Sequence, residues 1–253
     1  MPESSPLLLQ AADWQALWVS LRLAGLTALL LVGLTLPLAW WLREGPRRQP
    51  LGRAGRWLRQ GVRAVVNLPL VLPPSVLGFY LLMALGAQGL IGQWTLAMGW
   101  GLLPFTFWGL LLASLLYSLP FACQPLLQAI ESLGDEPLDM ADVMGLSRLA
   151  TLRHVLWPML RPGAIAAFLM SFAHTLGEFG VVLMIGGNIP GQTQLVSVQL
   201  YELVEGQEWA RAHQLALLLV GLSLVLLLAM QRHQRRLAAG GWRAAAKHAG
   251  DTP

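Results

Sequence analysis

The sequence predicts an all-α membrane protein, a polytopic helical bundle with about five transmembrane helices, and its composition is the first reason. Of the 253 residues, 55% are hydrophobic and only 12% are charged, whereas about a quarter of the residues in a soluble domain are charged. The stretch 64–130 contains no Asp, Glu, Lys, Arg or His. A soluble fold could not expose such a stretch to water, but two bilayer crossings joined by a short loop could accommodate it.

Five apolar segments reach the length of roughly 20 residues that a helix needs to cross the hydrocarbon core. The predicted spans of this single transmembrane domain, residues 1–253, cover about 15–41, 64–86, 103–127, 159–184 and 212–231. The opening residues MPESSPLLLQAADW lack the positively charged region of a cleavable signal peptide. The first apolar segment is therefore expected to remain in the protein as a span.

The distribution of basic residues predicts the orientation. The segment 43–63 holds seven arginines: Arg43, Arg47, Arg48, Arg53, Arg56, Arg59 and Arg63. The tail after residue 231 is also basic, whereas the loop 186–210 carries three glutamates and no Lys or Arg. The positive-inside rule then predicts a multi-pass protein with its N-terminus outside and its C-terminus in the cytoplasm. The basic first loop could also bind anionic lipid or a partner, although topology alone explains its charge.

The titratable side chains argue against an enzyme embedded in the membrane. At membrane depth only His174 and Glu178 are available, too few for a metal or an acid–base site. The lone cysteine, Cys123, excludes a cysteine-rich metal site, and neither a metal nor a cofactor is expected. The sequence also lacks a GxxxxGK[ST] loop, so any energy from ATP must come from a partner subunit.

The loop 131–163 is predicted to form a short helix-turn-helix that lies on the cytoplasmic surface. A helix is expected to begin near Pro137, and Gly145 ends it because glycine permits a left-handed turn or a close backbone approach. Pro158 and Pro162 are expected to interrupt the helix before the fourth span begins.

The same loop resembles the coupling motif of permease subunits in bacterial ABC importers. That motif reads E-A-A, three residues, G, nine residues, I-x-L-P, and the spacing fits here at every point, although Met140 and Trp157 depart from its residue types. The resemblance implies a coupling loop over 131–158 whose helix docks into a groove of the ATP-binding subunit. The residues carried over from the motif are Asp139, Ala141, Gly145, Val155 and Pro158. A channel or a proton-coupled carrier would need no such loop.

A second segment, 171–202, closely resembles the permeases of molybdate importers, in which G-E-F-G is followed by G-N-I-P-G-x-T. The similar runs are 177–180, 187–193, 68–82 and 103–109. The resemblance implies a permease subunit that moves molybdate across the bacterial inner membrane. It further implies a homodimer in membrane lipid, two ATP-binding subunits and one extracytoplasmic oxyanion-binding protein. Sulfate and tungstate importers of the same family remain the alternatives.

Glu178 lies four residues after His174, so both side chains can face one side of a helix. Because a carboxylate within the membrane is costly, we expect either a gate that lines the transport path or a structural Glu–His pair. Molybdate is a dianion that Glu178 would repel, so neutral donors near proline or glycine breaks are better candidates for a weak site. The further candidate path residues are Pro73, Ser75, Ser171, Thr175 and Asn188. The acidic outer loop 188–207 is either a docking surface for the binding protein or simply solvated.

Overall fold

A computed structural model of the chain describes residues 9–43 and 52–250, with side chains described as far as Arg232. Arg47 and Arg48 of the basic first loop lie outside the described residues, as do the basic side chains of the tail beyond Arg232. Within the described ranges the regular structure is helical and includes no β-strand. This confirms the predicted all-α class.

The helices follow one another with short connections. They are α1 (Ala11–Leu42), α2 (Arg53–Asn67), α3 (Pro74–Leu85), α4 (Leu90–Ala97), α5 (Phe107–Leu133), α6 (Glu136–Val143), α7 (Arg148–Ala150), α8 (Trp157–Gly177), α9 (Gly180–Gly186), α10 (Val196–Glu205) and α11 (Trp209–Gly250). A 3₁₀ turn, Leu68–Leu70, follows α2, and a π-helical turn, Thr151–Leu156, joins α7 to α8. Five segments are long and apolar enough to cross a membrane: Ala11–Leu42, Pro74–Ala97, Phe107–Leu133, Arg148–Gly177 and Trp209–Arg232.

Helices α1, α5 and α8 form the centre of the bundle. Their facing sides bury one continuous apolar cluster, in which Leu42, Leu126 and Leu160 are almost fully enclosed. Helix α11 is peripheral, because only 6% of its apolar window is buried inside the protein, against 50% for α5. The remaining surface of α11 is apolar and suited to lipid or to another chain.

Ion pairs mark the two ends of the bundle. At the Asp13 end, the start of α1 meets the start of α11, with Asp13 Oδ2 3.0 Å from Arg211 Nη2. At the Arg43 end, where α1 and α5 finish, Arg43 Nη1 lies 3.4 Å from Asp135 Oδ1. The loop 131–158 therefore lies at the Arg43 end, and the loop that follows α9 lies at the Asp13 end.

The second span differs from its expected bounds of 64–86. Helix α2 stops at Asn67, and a new helix, α3, begins only at Pro74. Proline lacks an N–H donor and disfavours helical geometry in the residue before it, so Pro73 and Pro74 end one helix and begin the next. The span then continues beyond residue 86 through a glycine turn into α4. That turn needs Gly92, because a Cβ there would lie 1.9 Å from the carbonyl oxygen of Gly86.

The fourth span also differs, and the expected breaks at Pro158 and Pro162 are wrong. The helix runs on from Arg148 to Gly177. Just before Pro158, the backbone widens into the π-helical turn, in which Trp157 N donates to Leu152 O. A π turn shifts the hydrogen-bond register by one residue, so the proline ring is accommodated without ending the helix. The helix ends at Gly177, seven residues before the expected boundary at 184.

A close approach of α5 and α8 at Gly163 supplies a stability prediction. A Cβ at Gly163 would lie 2.4 Å from Ala129 Cβ, whereas a Cβ at Gly221 of α11 would meet nothing within 4 Å. We expect Gly163→Ala to lower the free energy of unfolding by about 1–3 kcal/mol through overpacking. Gly221→Ala is the matched control and should cause no loss, because alanine favours a helix.

The measurement uses Cys123, which is 2% exposed in the same apolar cluster. Labelling of its thiol by a maleimide dye during heating reports the opening of the core. Equal labelling midpoints for Gly163→Ala and the wild-type chain would contradict the tight contact.

Candidate functional site

His174 lies between α5 and α8, held by polar and aromatic contacts. Its Nδ1 is 2.9 Å from Ser118 Oγ, and the same hydroxyl is 2.9 Å from Thr175 Oγ1. The imidazole stacks on Phe121, with 3.8 Å between ring centroids and 23° between planes. Tyr117 lies against the same ring at a centroid distance of 4.9 Å. His174 is therefore a fixed member of the α5–α8 interface.

Glu178 caps a helix. The chain leaves the helical conformation at this residue (φ −70°, ψ 134°), and its Oε1 accepts a hydrogen bond of 2.8 Å from the N–H of Val181 in the first turn of α9. Its own carbonyl accepts a bond of 2.6 Å from Ser197 Oγ. A carboxylate at a helix N-terminus satisfies free N–H groups and opposes the positive end of the helix dipole.

The expected Glu–His pair is not formed. Both side chains are described, and Glu178 and His174 make no ion pair or hydrogen bond with each other. The i, i+4 relation places two side chains on one face only while the helix continues. Because α8 ends at Gly177, the Glu178 side chain follows the turn towards α9 instead.

The helix interruption before α3 and the one before α9 lie next to each other in the bundle. A Cβ at Gly180 would lie 2.7 Å from Pro74 Cβ, and one at Gly78 would lie 3.0 Å from Met184 Sδ. The two helices therefore run side by side in the same direction, with their N-termini adjacent. The structure thus brings the expected path residues Pro73 and Ser75, both exposed, close to the break at Glu178.

The remaining candidate path residues lie elsewhere. Ser171 is fully buried, and its hydroxyl donates to the carbonyl of Ala167 within its own helix at 2.7 Å. Thr175 contacts Ser118, as described for His174. Asn188 lies beyond the end of α9, in the loop at the Asp13 end. The expected path residues therefore fall into separate places: Pro73, Ser75 and Glu178 at the starts of α3 and α9, and His174 and Thr175 at Ser118.

The G-N-I-P-G-x-T run forms a closed loop organised by its threonine. Thr193 Oγ1 donates to Gly186 O at 2.6 Å and accepts from Ile189 N at 3.0 Å. The loop packs on Phe105, because a Cβ at Gly187 would lie 2.5 Å from that ring. Gly187 also has φ +61°, which glycine adopts without strain.

Asn188 and Gln194 hold one carboxylate at the Asp13 end. The Asn188 side-chain amide donates to Glu202 Oε1, and Gln194 Nε2 donates to Glu202 Oε2 at 3.0 Å. Asn188 itself has φ +56°, a left-handed conformation that asparagine tolerates better than most residues. The sequence predicted an acidic outer loop over 188–207, but the role of Glu202 in ordering that loop could be seen only in three dimensions.

Sequence reasoning missed the buried ion pair at the same end. Asp13 accepts bonds from Arg211 Nη2 at 3.0 Å and from Gln199 Nε2 at 2.9 Å, and it thereby joins α1, α10 and α11. The backbone N–H of Gln10 adds a bond of 2.7 Å to the same carboxylate. The available signal was an acid at the start of the first apolar run and an arginine at the start of the last.

The loop at the Arg43 end turns at a left-handed glycine. Gly145 has φ +67°, and its N–H donates to Asp142 O at 3.0 Å. The next N–H, of Leu146, donates to Ala141 O at 3.0 Å, which completes a Schellman motif at the end of α6. Ala141 is buried beneath the helix, as a small residue at a close contact should be. The predicted left-handed turn at Gly145 is present.

Large apolar side chains are exposed on this loop, beside the exposed charged residues Asp139, Asp142 and Arg148. Four large side chains are exposed there, with Val143 88% exposed and Leu149 73% exposed: Met140, Val143, Met144 and Leu149. We call these four residues the loop's apolar surface. Asp139 lies on the same helix as Met140, Val155 is half-buried in the π turn, and Pro158 is exposed. Several large exposed apolar side chains within one short segment, residues 140–149, are typical of a surface that a partner covers.

Residues 51–239 match the protein family described as "Binding-protein-dependent transport system inner membrane component". The chain belongs to this family. It is thus an inner-membrane component of a transport system, which agrees with its five candidate spans.

Among its relatives is the molybdenum transport system permease protein ModB of Azotobacter vinelandii, which is 48% identical over 228 residues, 90% of this chain and 96% of the relative. The ModB protein of Escherichia coli K12 is 30% identical over 226 residues, 88% of this chain and 93% of that protein. The sulfate transport system permease protein CysT of Salmonella typhimurium is 32% identical over 173 residues, 68% of this chain and 62% of that protein.

A similar solved structure is a bacterial ABC transporter involved in the import of the acidic polysaccharide alginate. Its TM-score is 0.70 at 18% identity, over 90% of this chain and 80% of that chain. The alginate transporter in complex with an alginate pentasaccharide-bound periplasmic protein gives a TM-score of 0.68. At this level of identity, the likeness establishes a shared fold.

The capping role of Glu178 predicts a difference between two substitutions. Glu178→Gln keeps an oxygen that can accept the Val181 N–H and should leave stability close to that of the wild-type chain. Glu178→Ala loses the cap and should cost about 0.5–2 kcal/mol. Thermal midpoints from Cys123 labelling test this. If Gln destabilises as strongly as Ala, the negative charge is required and capping alone does not explain this residue.

Proposed function

We propose that the chain forms the membrane path of an ATP-driven importer of molybdate. The observation that carries the proposal is the 48% identity to a molybdenum transport permease over 90% of this chain and 96% of that relative. The similarity to a sulfate permease extends over only 62% of that relative. The G-N-I-P-G-x-T motif, on which the sequence-based prediction of molybdate rests, forms a closed loop and is consistent with this substrate. Sulfate and tungstate are the competing substrates.

The proposed assembly has two copies of the chain, two ATP-binding subunits and one extracytoplasmic oxyanion-binding protein. Five spans enclose too little for a gated path, which supports a second copy. The exposed side chains Phe79, Tyr80 and Met83 on α3 offer an apolar face for that copy. The acidic loop ordered by Glu202, at the Asp13 end, is the proposed docking surface for the binding protein.

The loop's apolar surface is the proposed contact with the ATP-binding subunit. Fully burying an apolar side chain contributes about 1.5–3 kcal/mol, and covering these four would help to offset the cost of associating two proteins. The loop is also joined to the spans, through Arg43–Asp135 at one side and through the continuous helix from Arg148 to Gly177 at the other. Movement of a bound subunit would therefore be passed directly to α8.

The Arg43 end is the proposed cytoplasmic end. The described arginines of the first loop lie at this end, whereas at the Asp13 end the loop 86–106 is uncharged and the loop 187–208 is acidic without Lys or Arg, as the positive-inside rule requires. The adjacent N-termini of α3 and α9, with Ser75 exposed beside them, are the proposed part of the path where an oxyanion is briefly solvated. Glu178 occupies the free N–H groups of α9, which keeps any site there weak. In this proposal His174 and Ser171 do not contact the substrate; they stabilise the packing of α8 beside the path.

The coupling role is tested by Val143→Glu, with Val143→Ile as the matched control. Uptake of labelled molybdate is measured in cells that lack their own high-affinity system and express the chain with its ATP-binding and binding-protein subunits. A charge in an apolar contact is costly, so Val143→Glu should reduce uptake by more than about tenfold at equal membrane abundance. Uptake that is indifferent to Val143→Glu would contradict the proposed docking surface.

The substrate is tested in the same cells by competition. A hundredfold excess of unlabelled sulfate should leave molybdate uptake nearly unchanged, and unlabelled molybdate should abolish it, because the two oxyanions would bind with affinities that differ by more than about that factor. Strong inhibition by sulfate would favour the sulfate alternative. Stronger inhibition by tungstate than by molybdate would favour tungstate, and no uptake of any oxyanion would reject the substrate class.

A further inference from the structure

Helix α2 separates into a basic face and an apolar face. Its sequence, RAGRWLRQGVRAVVN, places Arg53, Arg56, Gln60 and Arg63 along one side at helical spacing. The opposite side carries Leu58, Gly61, Val62 and Val65, and Trp57 lies one turn from Arg53 at the edge of the basic side. The positive-inside rule explains why arginines are present in this loop, but it does not require them to share one face of a helix beside a tryptophan.

The C-terminal half of α2 is fixed to the bundle. Arg63 Nη2 donates to Leu42 O at 2.7 Å and lies 2.8 Å from Glu131 Oε1. Val66 is buried in the apolar cluster of α1, α5 and α8. Because the spans α1 and α5 finish at these contacts, α2 lies where the protein leaves the hydrocarbon core.

The N-terminal half of α2 is largely exposed. Trp57 is 73% exposed and Leu58 60% exposed. A surface pocket of about 440 Å³ is lined by Arg53, Arg56, Trp57 and Gln60. Among the described residues, neither Arg53 nor Arg56 has a carboxylate partner, whereas Arg63 has Glu131. Two guanidinium groups and a tryptophan therefore surround one open pocket at the membrane boundary.

We propose that this pocket binds the headgroup of an anionic phospholipid. A guanidinium presents paired N–H donors that match the oxygens of a phosphate, so Arg53 and Arg56 supply both charge and geometry. Trp57 and Leu58 enter the boundary between headgroups and acyl chains, where tryptophan is favoured. Amphipathic helices with a basic face bind anionic surfaces in this way. The inference goes beyond transport and requires only that the chain lie in a membrane.

The test measures binding of one defined lipid to the full-length chain. Dioleoylphosphatidylglycerol is titrated into the chain in detergent, and bound lipid is counted by native mass spectrometry, with dioleoylphosphatidylcholine as the zwitterionic probe. The wild-type chain should prefer the anionic lipid. Arg53→Gln combined with Arg56→Gln should weaken its binding by about thirtyfold and change phosphatidylcholine binding little, since each arginine near a lipid surface contributes about fivefold.

Two further variants make the result specific. Arg148→Gln combined with Arg161→Gln removes two other exposed arginines at the same end and should keep the wild-type affinity. Arg53→Lys combined with Arg56→Lys keeps the charge, and its affinity for the anionic lipid should fall only a few-fold because lysine cannot form the paired hydrogen bonds. Circular dichroism and elution volume establish folding, and either single Gln variant replaces a double variant that fails to fold.

Several outcomes would overturn the proposal. One is a wild-type chain without preference for the anionic lipid, and another is an equal loss in the Arg148/Arg161 control. A parallel loss of both lipids would indicate an apolar surface without a headgroup site. If the Arg53/Arg56 variant binds lipid normally but no longer co-purifies with the ATP-binding subunit, the basic face of α2 is a protein contact instead.

Discussion

The hydrocarbon core of a bilayer offers no hydrogen-bond partner, so a chain that interrupts a helix within it must satisfy the freed backbone groups from the protein itself. Between α8 and α9, the Glu178 carboxylate accepts the free N–H of Val181, and Ser197 donates to the Glu178 carbonyl. After α9, Thr193 bonds to two backbone groups of the loop that it closes. Glu178 and Thr193, which suggest transport chemistry in the sequence, thus form hydrogen bonds with the backbone. Groups that contact a substrate must therefore be sought among other residues.

The membrane class and the number of spans could be predicted because each depends on composition summed over about twenty residues. The interruptions could not, since prolines in similar sequence have opposite effects. At Pro73 and Pro74 one helix has already ended and another begins, whereas before Pro158 a π turn absorbs the ring and the helix continues. Whether a proline ends a helix depends on whether the preceding turn can change its hydrogen-bond register, and residue spacing does not reveal this.

The same limit applies to the candidate site. His174 and Glu178 have the spacing of a pair on one helical face, but the helix ends between them and each finds other partners. In the loop at the Arg43 end, motif spacing located Ala141 and Gly145, whose burial and left-handed backbone agree with it. The apolar surface beside them was missed, because exposed Val143 and Met144 look in sequence like core residues. Its exposure became visible only once the direction of α6 was known.

Asp13 and Arg211 are 198 positions apart, so their contact unites the first span with the last. Because a chain is made from its N-terminus, the Asp13 carboxylate reaches the membrane long before its counter-ion exists. In the finished protein Asp13 is 1% exposed, and burying it alone would cost several kcal/mol. Packing the other helices around Asp13 before α11 is present would bury an unpaired carboxylate, so this end of the bundle packs fully only once α11 supplies Arg211. One ion pair therefore makes the closure of this end depend on the last span, so that the first helix is fully packed only when the whole bundle has been assembled.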